Sequence, residues 1–597
     1  MSLRPLSVFC LLQGALYCIG ALGFFLWNGF FTDPIGLTFT FVFIVGHAGF
    51  LAVLLGLIGA AAGLTSPRVR PWVCWGAGSL TSFFLVADLV VFIQYRFHID
   101  RSLLEMFFGP AGREIFVFPA GMWGLIALTA LVIMAVEAGI VWLAKRTSLS
   151  NKILVILGGI WVACFLSYHG MYMWGKFKLV PSIISQQKIL PLSYPLSANR
   201  RLEKWGFTPN STPYLLPKQG SLHYPLAPLN CKDPSPSANV LILLVDSWRA
   251  DMLNPSVMPR LSSWIEKLGV HQFTNHLSGG NSTAGGVFSL FYALPHSYWD
   301  DFSTEHLPPL LVSHALEKGY EPGIFASSKL TSPAFGRNVF ATVPDLRMGS
   351  QGGSSWQRDE NAVEDFEHFL QTHSSGRPFF GFIFLDAPHG YSYPNTAKKF
   401  TPAKEINYLL LTNRTDPTPY VNQYKNAVFF ADELIDRVLT GLQKRGLLEN
   451  TWVIITADHG QEFNDSHHNS WGHNGNFTDY QTKVPLLVYA AKHPAAAPHG
   501  YRTTHHDIAP TLLQEVYGCT NPSADYALGK NLFDPAPRPF TVFAGHTEKA
   551  IRIGDAITVF NELGGIKQYD SQLQPISQSP DPAALKEGLK AFRRFYK

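Results

Sequence analysis

Aspartate and histidine stand side by side at 458 and 459, straight after an apolar run, in VIITADHGQEFNDSHHNSWGHNGN (Val453–Asn476). Val453, Ile454 and Ile455 predict a buried strand that turns at Thr456-Ala457. It delivers Asp458-His459-Gly460 at its C-terminal end, where α/β folds keep their chemistry. An adjacent carboxylate and imidazole suit a divalent metal, and Gly460 lets the backbone turn away sharply. Other segments offer matching groups. Asp246 follows the run Val240–Val245. Thr283 sits in the Gly-rich turn Gly279–Gly286, ahead of a helical run, where backbone N–H groups and the helix dipole favour a phosphate. His389 follows the strand ending Leu385-Asp386, and His473 lies in Gly472-His473-Asn474-Gly475. A metal held by Asp246, Asp458, His459 and the Thr283 hydroxyl would lower the pKa of that hydroxyl and make it a nucleophile. His389 and His473 are then placed to bind phosphoryl oxygens or to protonate a leaving group. The mix of oxygen and nitrogen donors suits one Zn²⁺ or Mn²⁺ and admits Mg²⁺. Each piece alone reads as a polar turn or a structural histidine; their joint arrival on strand ends carries the metal reading.

The elements that position these residues alternate. Val240–Val245, Glu321–Ala326, Pro378–Leu385, Trp452–Ala457 and Val484–Tyr489 read as strands. Met258–Leu268, Val287–Leu294, Asp359–Thr372 and Tyr420–Lys444 read as helices. Residues 238–597 are therefore expected to form an α/β domain with a mainly parallel central sheet.

What precedes is of a different kind. The chain has 597 residues, 47% hydrophobic and only 15% charged, and the long uncharged runs crowd into the first 175. Five of them, about Leu6–Phe31, Phe39–Leu64, Trp72–Ile93, Ile115–Ala144 and Ile153–Trp174, reach the ~20 residues a membrane-crossing helix needs. Arg4, Arg68, Arg70, Lys145, Arg146 and Lys152 flank their cytoplasmic ends by the positive-inside rule, with Arg96, Arg101 and Arg113 counting against it. The balance places the N-terminus in the cytoplasm and everything after Trp174 outside it. Asp88 and Glu137 fall within spans, and are expected to reach the interface or one another rather than to form an ion path. A net charge of +4, with no block of Lys and Arg, excludes a nucleic-acid partner on electrostatic grounds. Of six Cys, only Cys231 and Cys519 lie outside the apolar runs, where they pair in an oxidising compartment or stay free.

Residues 176–237 form a juxtamembrane connection. Pro181–Leu196 is apolar but broken by prolines, and is expected to lie along the membrane surface. Arg200, Arg201 and Lys204 then share a short amphipathic element with Leu202 and Trp205 as apolar anchors. Such a patch suits anionic headgroups, phosphates above all; composition alone equally allows a solvated basic face. Residues 208–237, rich in Pro and Ser, read as a linker.

At the chemical residues the chain resembles the alkaline phosphatase/sulfatase superfamily, in its branch of membrane-anchored phosphoethanolamine and glycerophosphate transferases. Asp246-Ser247-Trp248-Arg249-Ala250-Asp251 is similar to that branch's E/D-x-x-R-A-D. Ser282-Thr283-Ala284 resembles its S-T-A turn, which implies that Thr283 is the nucleophile. Thr456-Ala457-Asp458-His459-Gly460 resembles S/T-D-H-G with one residue inserted. His389-Gly390-Tyr391-Ser392-Tyr393 resembles H-G-x-x-Y, and His473 matches the second substrate-side histidine. The sulfatase C/S-x-P-x-R motif is absent, which argues against sulfate esters. Over nearly its whole length the chain resembles the YejM/PbgA family of Gram-negative inner-membrane proteins, through five spans, Leu190–Pro195, Arg200–Lys204, Asn281–Thr283 and Gly286–Tyr292. That resemblance implies control of lipopolysaccharide supply, with the domain after the spans in the periplasm. It implies a basic juxtamembrane segment bound to lipid A phosphates or another anionic lipid, and a membrane partner that regulates lipid A biosynthesis. Members differ in whether the metal site is complete. Every position is present here, which favours retained catalysis over a purely regulatory, lipid-sensing role.

Overall fold

The computed structural model describes residues 3–28, 33–95, 98–99, 104, 107–108, 120–178, 180–184, 186–187, 189–196, 198–207, 222–232, 238–373, 376–490, 497–546, 548–561, 566–576 and 581–596. The chain divides into two compact units, residues 1–101 with 118–215 and 562–566, and residues 102–117 with 216–561 and 567–597.

In the first unit, five long helices follow the apolar runs: α1 (Leu3–Asn28), α2 (Pro34–Thr65), α3 (Arg70–Tyr95), α4 (Ala120–Arg146) and α5 (Asn151–Lys178). All five are long and apolar enough to cross a membrane. Hydrocarbon offers no partner for backbone groups, so such runs close their own hydrogen bonds as helices. Residues 29–31 and 115–119 of the expected spans lie outside the described residues. Asp33 caps α2, its side chain accepting from Gly36 N at 2.8 Å, with Pro34 in the first turn. α2 packs against α1, α3 and α5. It comes close to α5 at Gly46, where a Cβ would stand 2.7 Å from the Phe165 backbone nitrogen.

Asp88 and Glu137 do not pair with each other, against one of the two expected outcomes; both are fully buried in the bundle. Glu137 accepts from Gln13 Nε2 at 2.9 Å and Ser82 Oγ at 2.6 Å. Asp88 accepts from Ile99 N at 2.6 Å and lies 2.6 Å from His98 Nδ1. Different polar groups nearby are closer than the other acid, and each carboxyl takes them. The segment 181–196 is only partly at the surface: Leu192, Tyr194 and Leu196 are exposed, while the stretch up to Pro191 is largely buried. After one helical turn, Pro181–Ile184, it enters the bundle and buries Ile183, Ile189 and Leu190 against Phe24, Phe43 and Tyr172. Gln186 Nε2 donates to Gly36 O, Thr40 Oγ1 donates to Gln186 Oε1, and Pro191 O lies 2.8 Å from His47 Nε2, in the interior of α2. The prolines break a helix, but these polar anchors let the irregular backbone be buried in protein.

The short helix α6 (Asn199–Lys204) leaves Arg201, Lys204 and Trp205 exposed. The side chain of Arg200 lies outside the described residues.

The second unit is built on a six-stranded sheet: β1 (Asn239–Val245), β2 (His271–Gln272), β3 (Glu321–Ala326), β4 (Phe379–Leu385), β5 (Thr451–Ala457) and β6 (Leu486–Ala490). Their order is β2-β6-β5-β1-β4-β3. The strands β3, β4, β1 and β5 are parallel, and β6 runs antiparallel to both its neighbours. The expected mainly parallel sheet is present with one reversed strand, which begins at Leu486 rather than Val484. β1 alternates cleanly. Val240, Ile242 and Leu244 enter one core with Phe288 and Phe291; Leu241, Leu243 and Val245 enter the other with Phe366 and Val428. Full burial of each such side chain contributes about 1.5–3 kcal/mol. Helices α7 (Pro259–Leu268), α8 (Thr283–Tyr292), α9 (Ser355–Thr372) and α10 (Thr418–Lys444) cover the faces. α9 starts at Ser355, before the expected Asp359, because Ser354 and Gln357 form a capping box.

Residues 222–232, read as linker, are part of this unit. Leu222 bridges to Tyr596, and Cys231 is disulfide-bonded to Cys519 across 288 residues of sequence. A crosslink of this span stabilises a fold by about 2–5 kcal/mol, chiefly through the unfolded chain, and forms in oxidising compartments.

Candidate active site

Register assembles the site. Val245 of β1 is level with Leu385 of β4 on one side and Ala457 of β5 on the other. The next residue on each strand is an aspartate, so Asp246, Asp386 and Asp458 emerge side by side at the carboxyl edge of the sheet. Asp458 Oδ1 accepts from Ser247 N at 3.0 Å and from His459 N at 2.8 Å. Its Oδ2 is buried and has no hydrogen-bond partner among the described residues. His459 Nδ1 lies 2.8 Å from its neighbour's carbonyl, Gly460 O, which places the proton there and leaves Nε2 its lone pair. Nε2 is 3.6 Å from Asp246 Oδ1, 3.6 Å from Asp458 Oδ2 and 3.4 Å from Thr283 Oγ1. Thr283 Oγ1 is 3.4 Å from Asp246 Oδ2.

These separations fit a cation. Bonds of ~2.0–2.2 Å in a tetrahedron set ligand atoms roughly 3.3–3.6 Å apart. Electrostatics agree. Burial pushes Asp458 up to about 7, and burial together with Asp458 pushes Asp246 up as well. Two buried carboxyls that resist ionising together are stabilised as anions by a positive charge between them. The donor set of two carboxylates, a hydroxyl and an imidazole is complete on Asp246, Asp458, Thr283 and His459.

Thr283 opens α8, where Ser282 Oγ accepts from Gly285 N. The helix therefore starts before the expected Val287. Sequence marks Gly285 and Gly286 as turn residues, but Gly286 serves packing: a Cβ there would stand 2.0 Å from Asp458 O. Only glycine lets the helix that begins at Thr283 seat against the strand end that carries Asp458 and His459.

His389 and His473 reach the same place, with ring centroids 5.3 Å apart, and His473 lies 4.2 Å from His459. Burial opposes a charge on His389, yet Asp246, Asp386 and Asp458 outweigh it and hold the imidazole above its usual value. Burial holds His473 well below its usual value, with His459 and His389 adding to the effect. The pair is thus split into an acid and a neutral ring. His473 Nδ1 lies 2.9 Å from Gln461 Oε1, which accepts its proton and leaves Nε2 bare.

Several residues that hold the site carry no sequence signal of their own. Gln461 also donates to the Tyr391 hydroxyl. Glu462, fully buried, accepts from Ser466, Ser470, Asn476 and Gln481, and folds the loop that bears His473 around one carboxylate. Arg249 grips Asp251 and Asp465, tying the first strand end to that same loop. Asp386 is held by Ser355 Oγ and Arg358 Nη2, and faces His389 Nδ1 at 3.6 Å. A fixed spacing in D-x-x-R-A-D and D-A-P-H was the available hint for the last two. Arg201, Lys204 and Trp205 belong to the other unit and are not among these residues.

Residues 238–518 match the sulfatase family, and residues 4–231 match a domain of unknown function, DUF3413. Inner membrane protein YejM of Salmonella typhimurium is 26% identical over 584 residues, 94% of this chain and 92% of that protein. This chain is similar to YejM over nearly its whole length. An uncharacterized protein of Haemophilus influenzae is 25% identical over 527 residues, 86% of this chain and 82% of that one. Among solved structures, the integral membrane protein lipooligosaccharide phosphoethanolamine transferase A of Neisseria meningitidis aligns with a TM-score of 0.55 and 16% identity, over 88% of this chain and 98% of that one. That likeness is one of fold. The motif resemblance thus extends over the YejM length, with a sulfatase/alkaline-phosphatase-like domain carried after five apolar helices. The superfamily comprises metal-dependent hydrolases and transferases of phosphate and sulfate esters.

Proposed function

We propose that the protein is an inner-membrane, metal-dependent phosphoester hydrolase or transferase with Thr283 as nucleophile. It acts on lipopolysaccharide (lipid A) or phospholipid headgroups and serves outer-membrane lipid homeostasis. The N-terminus is cytoplasmic and the α/β domain periplasmic. The carrying observation is the Thr283 hydroxyl, 3.4 Å from both Asp246 Oδ2 and His459 Nε2 at the N-terminus of α8.

A divalent cation, Zn²⁺ or Mn²⁺ before Mg²⁺, held by Asp246, Thr283, Asp458 and His459, would supply positive charge that acidifies the hydroxyl and neutralises a phosphoryl group. The residues do the rest. Thr283 Oγ1 directs its proton at Asp246 Oδ2 and attacks phosphorus. As the bond to Thr283 forms, the bond to the leaving alcohol breaks. His389, beside Asp386, gives a proton to that oxygen. Backbone N–H groups of α8 and the bare side of His473 orient the phosphoryl oxygens. Water or an acceptor hydroxyl then gives a proton back to His389 and attacks the phosphothreonine, and Thr283 leaves with the proton returned from Asp246. The test is to trap that intermediate. Full-length protein turned over with an aryl phosphate, quenched in acid and digested should carry phosphate on the Thr283 peptide. Phosphate found on another residue, or on none with Zn²⁺, Mn²⁺ and Mg²⁺ each supplied, removes the covalent mechanism.

One observation favours a second reading, a non-catalytic lipopolysaccharide sensor acting on a membrane partner that regulates lipid A biosynthesis. Arg201 and Lys204 stand exposed beside Trp205, which is 71% exposed. Paired cations beside an exposed indole match phosphates above acyl chains. Purified protein is expected to retain lipopolysaccharide or another anionic lipid. Arg200→Ala with Arg201→Ala should weaken that binding about tenfold or more, since charge-assisted hydrogen bonds contribute about 1.5–3 kcal/mol each. Binding in detergent across a salt series measures it, and an unchanged affinity makes α6 an ordinary solvated face.

A further inference from the structure

Within the helical unit, a cavity of about 250 Å³ lies between α1, α2, α3 and α4. Leu190 and Pro191, from the segment that enters the bundle, close one side of it, and the Pro191 carbonyl is fastened there by His47 Nε2. Leu51, Leu85 and Leu89 make apolar walls. Ile19, Val132 and Val136 also line it, yet are 67%, 54% and 44% exposed, so its mouth opens between helices toward bilayer hydrocarbon. An apolar chamber with such a mouth takes a hydrocarbon chain from the membrane.

One part of the lining is not apolar. Glu137 and Ser82 line it beside Tyr17. Glu137 Oε1 takes the hydrogen bonds from Gln13 and Ser82. Of the lining residues, Glu137 Oε2 and the Tyr17 hydroxyl are buried and have no hydrogen-bond partner among the described residues. Unused hydrogen-bonding capacity at the end of an apolar chamber is costly until something supplies a partner. Glu137 and Gln13 both stand near the middle of their helices, α4 and α1, so the polar end is deep within the spans. A charged headgroup does not reach such depth without its own counter-charge, and no Lys or Arg is among the described residues that line the cavity. A neutral head with one hydroxyl both reaches it and offers the missing donor. We propose that this cavity binds a neutral, hydroxyl-bearing lipid, a long-chain alcohol or a diacylglycerol, with its hydroxyl on Glu137 and its chain leaving through the mouth beside Ile19 and Val136.

The test uses full-length protein in detergent with two photoreactive diazirine probes, hexadecanol and the alkane of the same length. The alcohol probe is expected to label peptides of α1 and α4 at least fivefold more than the alkane. Competition by unlabelled hexadecanol or by dioctanoylglycerol then identifies the source, while phosphatidylglycerol should not compete. Gly20 lines the mouth, and a Cβ there meets nothing within 4 Å, so Gly20→Leu obstructs entry without disturbing the helix. It should cut labelling fivefold or more. Glu137→Leu, which removes the polar partner at similar size, should bring the alcohol down to the alkane's level. Equal labelling by both probes in the parent, or labelling indifferent to Gly20→Leu, overturns the assignment. Thr283→Ala should label like the parent, so this site and the phosphoester chemistry stand or fall separately.

Discussion

Thr283→Ala is expected to lower kcat/KM for an aryl phosphate by about 10³-fold or more, whereas Thr283→Ser should stay within about tenfold of the parent. The size follows from what is lost. On the proposed mechanism Thr283 is at once a ligand to the metal, the attacking oxygen and the first residue of α8, whose N-terminus favours a phosphate. Alanine keeps the helix and removes both bonds; serine keeps the hydroxyl and loses a methyl group. A purely positional role for Thr283 predicts the opposite pattern, with the alanine variant turning over at a rate near that of serine. Single-turnover assays of metal-loaded protein distinguish the two. Equal rates in the alanine variant and the parent would falsify the nucleophile assignment.

Asp458→Asn should weaken metal binding by at least about 100-fold, since it replaces a charged ligand atom by a neutral one. The accompanying stability effect depends on pH. Without a cation, burial raises Asp458 from an unfolded value near 3.8 to about 7 in the fold. A carboxyl raised on folding contributes stability below its unfolded pKa, and that contribution is lost as pH rises through the folded value. Chelated parent protein should therefore lose stability between about pH 4 and pH 7. Metal should restore it, by about 2.7 kcal/mol at 100 times Kd. The gain in Tm on adding Zn²⁺ or Mn²⁺ should be small at pH 5.5 and largest above pH 7. In chelator at pH 8, Asp458→Asn should melt no lower than the parent, because it buries one charge fewer, and metal should raise its Tm little. A metal-induced gain that is the same at pH 5.5 and pH 8, or that survives in Asp458→Asn, shows that the cation is not held at this carboxylate.

The one-dimensional pattern determined whatever depends on near neighbours. Five apolar stretches must become helices wherever they meet hydrocarbon, because nothing else there satisfies their backbone. Val240–Val245 and Trp452–Ala457 announce buried strands by composition, and an acid directly after each strand marks a site edge. Asp246, Asp458 and His459 were legible for that reason, Thr283 from its Gly-rich turn, and His389 and His473 from their local motifs; the structure brings all six together. Tertiary structure decided what depends on residues distant in the chain. Register between β1 and β5, strands far apart in the sequence, makes Asp246 and Asp458 neighbours. Two backbone N–H groups occupy one oxygen of Asp458, so that the other faces the cation position. The tautomer of His473 belongs to Gln461, and the need for glycine at 286 belongs to the carbonyl of Asp458, on a different element. The same holds for what the sequence misplaced or left open. Whether 181–196 lies on a surface, whether Asp88 and Glu137 meet, and whether Cys231 finds Cys519 are questions of which groups fall within about 3 Å of one another. Hydrogen bonds and crosslinks act over that range alone, and only the folded chain sets it.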